Sequence, residues 1–248
     1  MSHLGGRMAR VPRGVVDAGG RQAVVHDKEG ALMALDLANG AVLWHHAPSL
    51  RPCALPAGTV VTVRITPSPA LAVVLLDAAT GNDRWESEPV ALEPWVRCTL
   101  DDTPDFSLRT ETDEAADEVL IHWHARGSYR GGAAPSPQVL AAAAREARGV
   151  LRVDVAAPSV DALPEAGAAG SPGPPEAEAV DAGAEALVPP PAADVLDRSQ
   201  VGDQRLELAF EPDSGAVVLR AVDPPTATVR WAVEVDHTTT RRAPKLPP

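Results

Sequence analysis

The 248-residue chain predicts an all-β fold made of repeated antiparallel hairpin units. An internal repeat is the first sign. Gly30 to Trp44 reads GALMALDLANGAVLW and Leu71 to Trp85 reads LAVVLLDAATGNDRW; in each, an apolar run ends in Asp, Gly follows four residues later and Trp four after that. The second sign is the shape of the apolar runs, which are short, rich in Val, Leu and Ala, and bounded by turn residues. The third is composition: two Phe and one Tyr accompany five Trp, so the core is built of Val, Leu and Ala with a few indole anchors.

Each part of the repeat has a physical role. Asp36 and Asp77 can bond the turn backbone with their side chains, Asn39 and Thr80 tolerate tight-turn geometry, and Gly40 and Gly81 supply the positive φ that a hairpin turn needs. The returning strand places Val42 and Trp44 on one face, because side chains alternate with period two. A third copy, Val217 to Trp231, keeps Asp223 and Trp231 at the same spacing of eight, with Pro225 and Ala227 in its turn. Trp95 and Trp123 have Ser87 and Ala115 at that offset and lie outside the repeat. A calcium-binding or catalytic role for these Asp residues would require a companion carboxylate in register, which is lacking, so turn stabilisation is the reading taken.

The segments LMALDLANGAVLW and VVLLDAATGNDRW resemble the repeat of the pyrroloquinoline-quinone-like (quinoprotein-like) β-propeller family. The resemblance implies four-stranded antiparallel blades about a central axis, with the Trp packed between adjacent blades. It makes Asp36, Gly40, Trp44, Asp77, Gly81, Trp85, Asp223 and Trp231 structural repeat residues. Trp44 and Trp85 lie 41 residues apart, the length of one blade. The interval from Trp85 to Trp231 exceeds two such steps by 64 residues, which an acidic segment of 42 (156–197) and an inserted piece of 22 (127–148) account for. A third blade is thus expected between them, with strands at Trp95 to Leu100, Ser107 to Thr112, Glu118 to Arg126 and Val150 to Val155; Asp154 ends the run that echoes the approach to Asp36. The expected fold is a quinoprotein-like β-propeller of about four blade units, as a small closed ring, an open arc, or a half-ring paired with another copy. Residues 1–155 hold blade units one to three, with a short helical insertion near 133–148 introduced by Pro135-Ser136-Pro137. First-blade strands fall at Gly14 to Asp17 and Arg21 to His26. Residues 198–236 hold the last unit, with strands at Arg205 to Phe210, Val217 to Val222 and Val229 to Val235.

The net charge is −12, and eight of the acids lie in residues 156–197, which contain no Lys or Arg and eight Pro. That segment reads as a disordered acidic insertion, since it lacks the apolar content to offset the entropy of ordering, and residues 237–248 read as a loose tail. The acidic balance argues against nucleic acid or an anionic membrane as partner. No run of eighteen apolar residues occurs, and Arg7, Arg10 and Arg13 have no apolar stretch of signal-peptide length behind them, so a cytoplasmic location is expected.

His122 and His124 share one face of an expected strand and are the candidates for a copper, nickel or zinc site with a third ligand; His26, His45 and His46 lie elsewhere. Cys53 and Cys98 form no CxxC, and Cys98 reads as a small apolar residue. The chain lacks GxSxG, a phosphate-binding loop ending in Lys-Ser/Thr, GxGxxG and HExxH. Arg145, Arg148 and Arg152 form a small basic patch, and Arg126 to Arg130 with Tyr129 could line a binding surface. The quinone-dependent enzymes that the repeat resembles are longer and carry a vicinal disulfide, a calcium site and a catalytic Asp, whose motifs have no match here. The expectation is therefore a non-enzymatic scaffold or protein-interaction module without a cofactor, joined to a protein partner or to itself. The alternative is a small-ligand or metal sensor using His122 and His124.

Overall fold

The computed structural model describes residues 10–11, 14–27, 29–56, 58–100, 102–113, 117–127, 129, 131, 136–163 and 194–237. They form four antiparallel sheets. The first blade runs β1 (Arg10–Val11), β2 (Gly14–Val16), β3 (Gln22–His26), β4 (Leu32–Asp36) and β5 (Val42–His46), each strand pairing with the next. The second holds β6 (Leu50–Ala54), β7 (Thr59–Ile65), β8 (Ala70–Asp77) and β9 (Asp83–Glu86), with β10 (Val90–Ala91) continuing the same edge of β8. The third comprises β11 (Phe106–Asp113), β12 (Glu118–Arg126), β13 (Glu146–Asp154) and β14 (Ser159–Leu163), with helix α1 (Pro137–Ala143) in the β12–β13 connection. The fourth comprises β15 (Asp194–Val201), β16 (Gln204–Glu211), β17 (Ala216–Asp223) and β18 (Thr228–His237).

Neighbouring residues of one strand serve different seams. Val15, Val24 and Ala34 of the first blade pack with Val60, Val74 and Leu76 of the second, whereas Val16, Val25, Met33 and Leu35 pack with Leu206, Leu208 and Leu219 of the fourth. The other face of the second blade gives Val61, Val63, Val73 and Leu75 to a cluster with Phe106, Leu108, Ile121 and Leu151 of the third. A one-residue slip would swap these faces, so two-sided burial fixes the register. Each fully buried Val or Leu contributes roughly 1.5–3 kcal/mol, which is how a core poor in Phe and Tyr holds. The shared clusters run fourth to first, first to second and second to third, and none among the described residues joins third to fourth. The molecule is an open, propeller-like arc with its C-terminal blade beside its N-terminal one.

The structure corrects several expected boundaries. Trp95 to Leu100 is not a strand: the amide of Val96 bonds the Glu93 carbonyl in a turn, and the third blade starts at Phe106. Its fourth strand is Ser159–Leu163, inside the segment expected to be disordered, where Val160 pairs with Val153. Residues 194–197 at the far end of that segment belong to β15, and 164–193 lie outside the described residues. His237 closes β18, while 238–248 lie outside them too. The inserted helix is shorter than expected. Ser136 caps it by accepting from the Val139 amide and Pro137 starts it, as the sequence suggested, but it ends at Ala143, and Glu146 to Arg148 join β13.

Candidate functional site

The repeat residues build the seams between blades. In the first-blade turn, Asp36 Oδ1 accepts from the Ala38 amide at 2.8 Å, and the Gly40 amide closes on the Asp36 carbonyl at 2.7 Å. In the second, Asp77 Oδ1 accepts from the Thr80 amide and hydroxyl, both at 2.9 Å, and Gly81 closes the turn at 2.8 Å. The Thr80 bonds hold the Asp77 carboxyl below its ordinary range. Thr226 first, and then Arg230, do the same for Asp223.

Each turn then receives the tryptophan of the preceding blade. Trp44 Nε1 donates to the Ala78 carbonyl at 2.8 Å, and Trp231 Nε1 donates to the Leu37 carbonyl at 2.9 Å. Both acceptors directly follow the repeat Asp. A glutamine joins each bond, Gln22 to Ala78 at 2.6 Å and Gln204 to Leu37 at 3.0 Å. The glycine beneath the ring is required twice over. Gly40 and Gly81 have φ of +74° and +73°, and a Cβ would come within 2.7 Å and 2.6 Å of the indoles of Trp231 and Trp44. All three Trp-bearing hairpins also carry a register shift, which falls between the pairs Leu35–Val42 and Ala34–Trp44, Leu76–Asp83 and Leu75–Trp85, and Val222–Val229 and Ala221–Trp231. The extra residue, Leu43, Arg84 or Arg230, turns the following indole toward the seam.

The ends of the arc depart from this pattern. In the regular register of the third blade, Asp161 stands opposite Arg152, the place where the other blades put Trp, and Glu118 stands opposite Asp154, where the first blade puts Gln22 opposite Asp36. Arg152 bonds Asp161 at 2.6 Å and lies 3.9 Å from Glu118, so this outward face is charged, internally paired and exposed. A polar outer face of this kind is what a terminal repeat needs. At the opposite end, Ala227 occupies the glycine position with φ +53°. Its Cβ takes the space that Gly40 and Gly81 leave for an indole. The seam between second and third blades is intermediate: Trp85, Val155 and Val160 each pack, partly buried, against its core cluster, and Pro158 stands in the glycine position.

Two buried charge clusters brace the frame. Arg51, 5% exposed, donates to Asp102 Oδ1 at 2.8 Å and to the carbonyls of Leu100 and Leu108 at 3.1 and 3.2 Å, tying the second blade to the third. Glu207, equally buried, accepts from Arg205 at 2.8 Å and from Arg220 at 2.8 and 3.0 Å on the face of the fourth blade turned away from the first.

His122 and His124 do project from one face of β12, but only His124 hydrogen-bonds a carboxylate, and the buried Nε2 of His122 has no hydrogen-bond partner among the described residues. His124 Nε2 lies 2.6 Å from Glu146, and His122 Nε2 lies 3.8 Å from Glu111. His124 holds the Glu146 carboxyl below its ordinary range. Among the described residues no group of three His, Cys, Asp or Glu side chains could hold a metal ion. His26 meets the Leu50 carbonyl at 2.8 Å, His45 lies 3.8 Å from Asp27 and His46 lies 2.9 Å from Asp83 across the first seam. Burial pushes the Cys53 thiol up to about 11 and raises that of Cys98, so both stay protonated.

Sequence reasoning missed Gln22, which opens an apolar strand, and Gln204, which opens one where polar and apolar residues mix. It also missed Arg51, whose buried partners lie on a different blade. For Arg51, a polar residue interrupting a strand otherwise buried on both faces was the available signal.

The chain matches no family model and no curated protein. Similar solved structures include BamB from Moraxella catarrhalis, with a TM-score of 0.38 and 15% identity over 89% of this chain and 52% of that one. Another is the WD40 domain of SCAP from fission yeast, with a TM-score of 0.28 and 9% identity over 96% of this chain and 71% of that one. This chain therefore spans about half the length of the BamB chain it matches.

Proposed function

We propose that this chain is a non-enzymatic scaffold or protein-interaction module, built from repeats like those of the quinoprotein-like propellers. The observation that carries this reading is the open arc: three seams join four blades, and the third and fourth share no core cluster among the described residues. An arc of this kind leaves accessible the outward face of the third blade, with Arg152 and Asp161, which a closed ring would cover. The polar side chains support the same reading. Asp36 and Asp77 bond their own turns, Gln22 and Gln204 bond the seams, and His46 and His124 bond neighbouring carboxylates.

Cross-linking of the full chain in its native cells, followed by calorimetry on the purified pair, tests the reading. A partner protein bound in fixed stoichiometry is the expected result. Binding of copper, zinc or pyrroloquinoline quinone in equilibrium dialysis, abolished by His122→Ala, would replace it with a ligand sensor.

A further inference from the structure

Large exposed apolar side chains gather at two places. Val42 and Leu43, 44% and 48% exposed, lie on β5; Tyr129, Val139 and Leu140 lie on and beside α1, with Leu140 at 49%. Leu163, Leu196 and Val229 stand on three separate strands.

The two places carry opposite charge. Helix α1 has no charged side chain and projects from the β12–β13 connection, whose base is closed by the Gly127 amide on the Arg145 carbonyl at 2.8 Å. Around that base stand the exposed Arg126, Arg145 and Arg148, with two acids: Glu146, which pairs with His124 and Arg148, and Asp105, whose carbonyl accepts from the Arg126 amide at 2.8 Å. Tyr and Arg beside an apolar centre is the composition of an interface, and so short a helix gains most of its stability from what packs on it.

Strand β5 is the opposite kind of surface. It is the outermost strand of the first blade, and alone among the outer strands β5, β9, β14 and β18 it contains no Asp, Glu, Lys or Arg, the charges that normally blunt a sheet edge. Acids outnumber bases at its flanks, where Arg84 follows Asp83. Asp36 closes the turn that leads to Val42, Asp27 lies 3.8 Å from His45, and Asp83 lies 2.9 Å from His46.

The second blade lies between the first and the third, so the two surfaces do not meet within one chain. We propose that they meet between copies, the α1 knob of one molecule docking on the β5 edge of a second, with the arginines steered onto the acidic flanks. This rests on the interaction-module reading and names self-association as one use of it. The contact is heterologous, since each copy offers one knob and one edge, so it propagates with concentration.

Sedimentation of the full chain over a range of concentrations tests this. The average mass is expected to rise with concentration and to fall when salt is raised. Leu140→Ser, Leu43→Ser and Arg145→Glu are each expected to weaken association by about tenfold or more, as truncating an interface anchor does. All three positions are exposed, and unchanged circular dichroism and melting confirm folding. An equimolar mixture of Leu140→Ser and Leu43→Ser is expected to form dimers and stop there, because one intact knob and one intact edge remain. A wild-type chain that stays monomeric, association indifferent to Leu140→Ser, or a monomeric mixture overturns the proposal; a hetero-partner found by cross-linking would then leave the scaffold reading standing. Co-sedimentation of a monomeric wild type with phosphatidylserine vesicles, lost on Leu140→Ser, would assign α1 to a membrane surface and also overturn it.

Discussion

The indole N–H of Trp231 bonds the main-chain carbonyl of Leu37 at 2.9 Å across 194 residues of chain, bringing the last blade against the first. Gln204, from the same blade, shares that carbonyl. Leu37 is fully buried, so the paired donors satisfy an acceptor that water cannot reach. Trp44, Gln22 and Ala78 repeat the arrangement one seam further on. The arc is thus held by backbone carbonyls placed by turns, which explains why the repeat couples Asp to Trp.

The glycine under each indole should be far less replaceable than other glycines of similar backbone. Gly81→Ala places a Cβ 2.6 Å from Trp44 at φ +73°, whereas Gly30→Ala, at φ +77°, meets nothing within 4 Å. Urea denaturation is expected to show a loss of about 2–4 kcal/mol for Gly81→Ala and about 1–2 kcal/mol for Gly30→Ala. Equal losses would mean that the ring does not sit over the turn.

Buried and exposed arginine pairs should behave differently. Arg51→Met removes the guanidinium from Asp102, which keeps the Leu108 amide, and from the carbonyls of Leu100 and Leu108, at a side chain only 6% exposed, and is expected to cost about 3–5 kcal/mol. Arg152→Met breaks an exposed pair with Asp161 and is expected to leave the melting temperature unchanged within error.

The Asp77 turn should contribute to acid sensitivity. Its folded carboxyl titrates below the ordinary value, chiefly through Thr80, so its stabilisation is present above the unfolded pKa and is lost as pH falls through the folded one. Thr80→Val removes the hydroxyl bond. Carboxyl titration by NMR should show Asp77 moving up, and the stability gap between wild type and variant should be constant at neutral pH and shrink below about pH 4. A gap independent of pH would contradict this.

The repeat was legible because its turn chemistry is local: Asp36, Gly40 and Trp44 act within nine residues, and their counterparts Asp77, Gly81 and Trp85 do the same. The number of blades followed from that spacing. What the sequence concealed depends on other blades. Nothing local distinguishes Gln22 or Gln204 from any polar residue at a strand start, yet both bond a neighbour's turn. The last strand of the third blade was hidden because Asp161 replaces the tryptophan and Pro158 the glycine, so Ser159–Leu163 merged with the Pro-rich run behind it. Trp95 to Leu100 has strand-like alternation, but the turn at Glu93 and the bond from Arg51 to the Leu100 carbonyl hold it outside the sheet. The histidine pair was placed correctly on one face; a cross-strand carboxylate, invisible to spacing, bonds His124, while Glu111 stays 3.8 Å from the buried Nε2 of His122.

The order of the blades, fourth, first, second, third, rests on Trp231 lying over Gly40. A double-mutant cycle on this pair tests it most directly. Gly40→Ala puts a Cβ 2.7 Å from the Trp231 indole, so its cost should be about 2–4 kcal/mol in the wild type and fall to about 1–2 kcal/mol once Trp231→Leu has removed the ring. A coupling of at least about 1 kcal/mol is the expected result, and losses that add within about 0.5 kcal/mol would show that the fourth blade does not dock on the first.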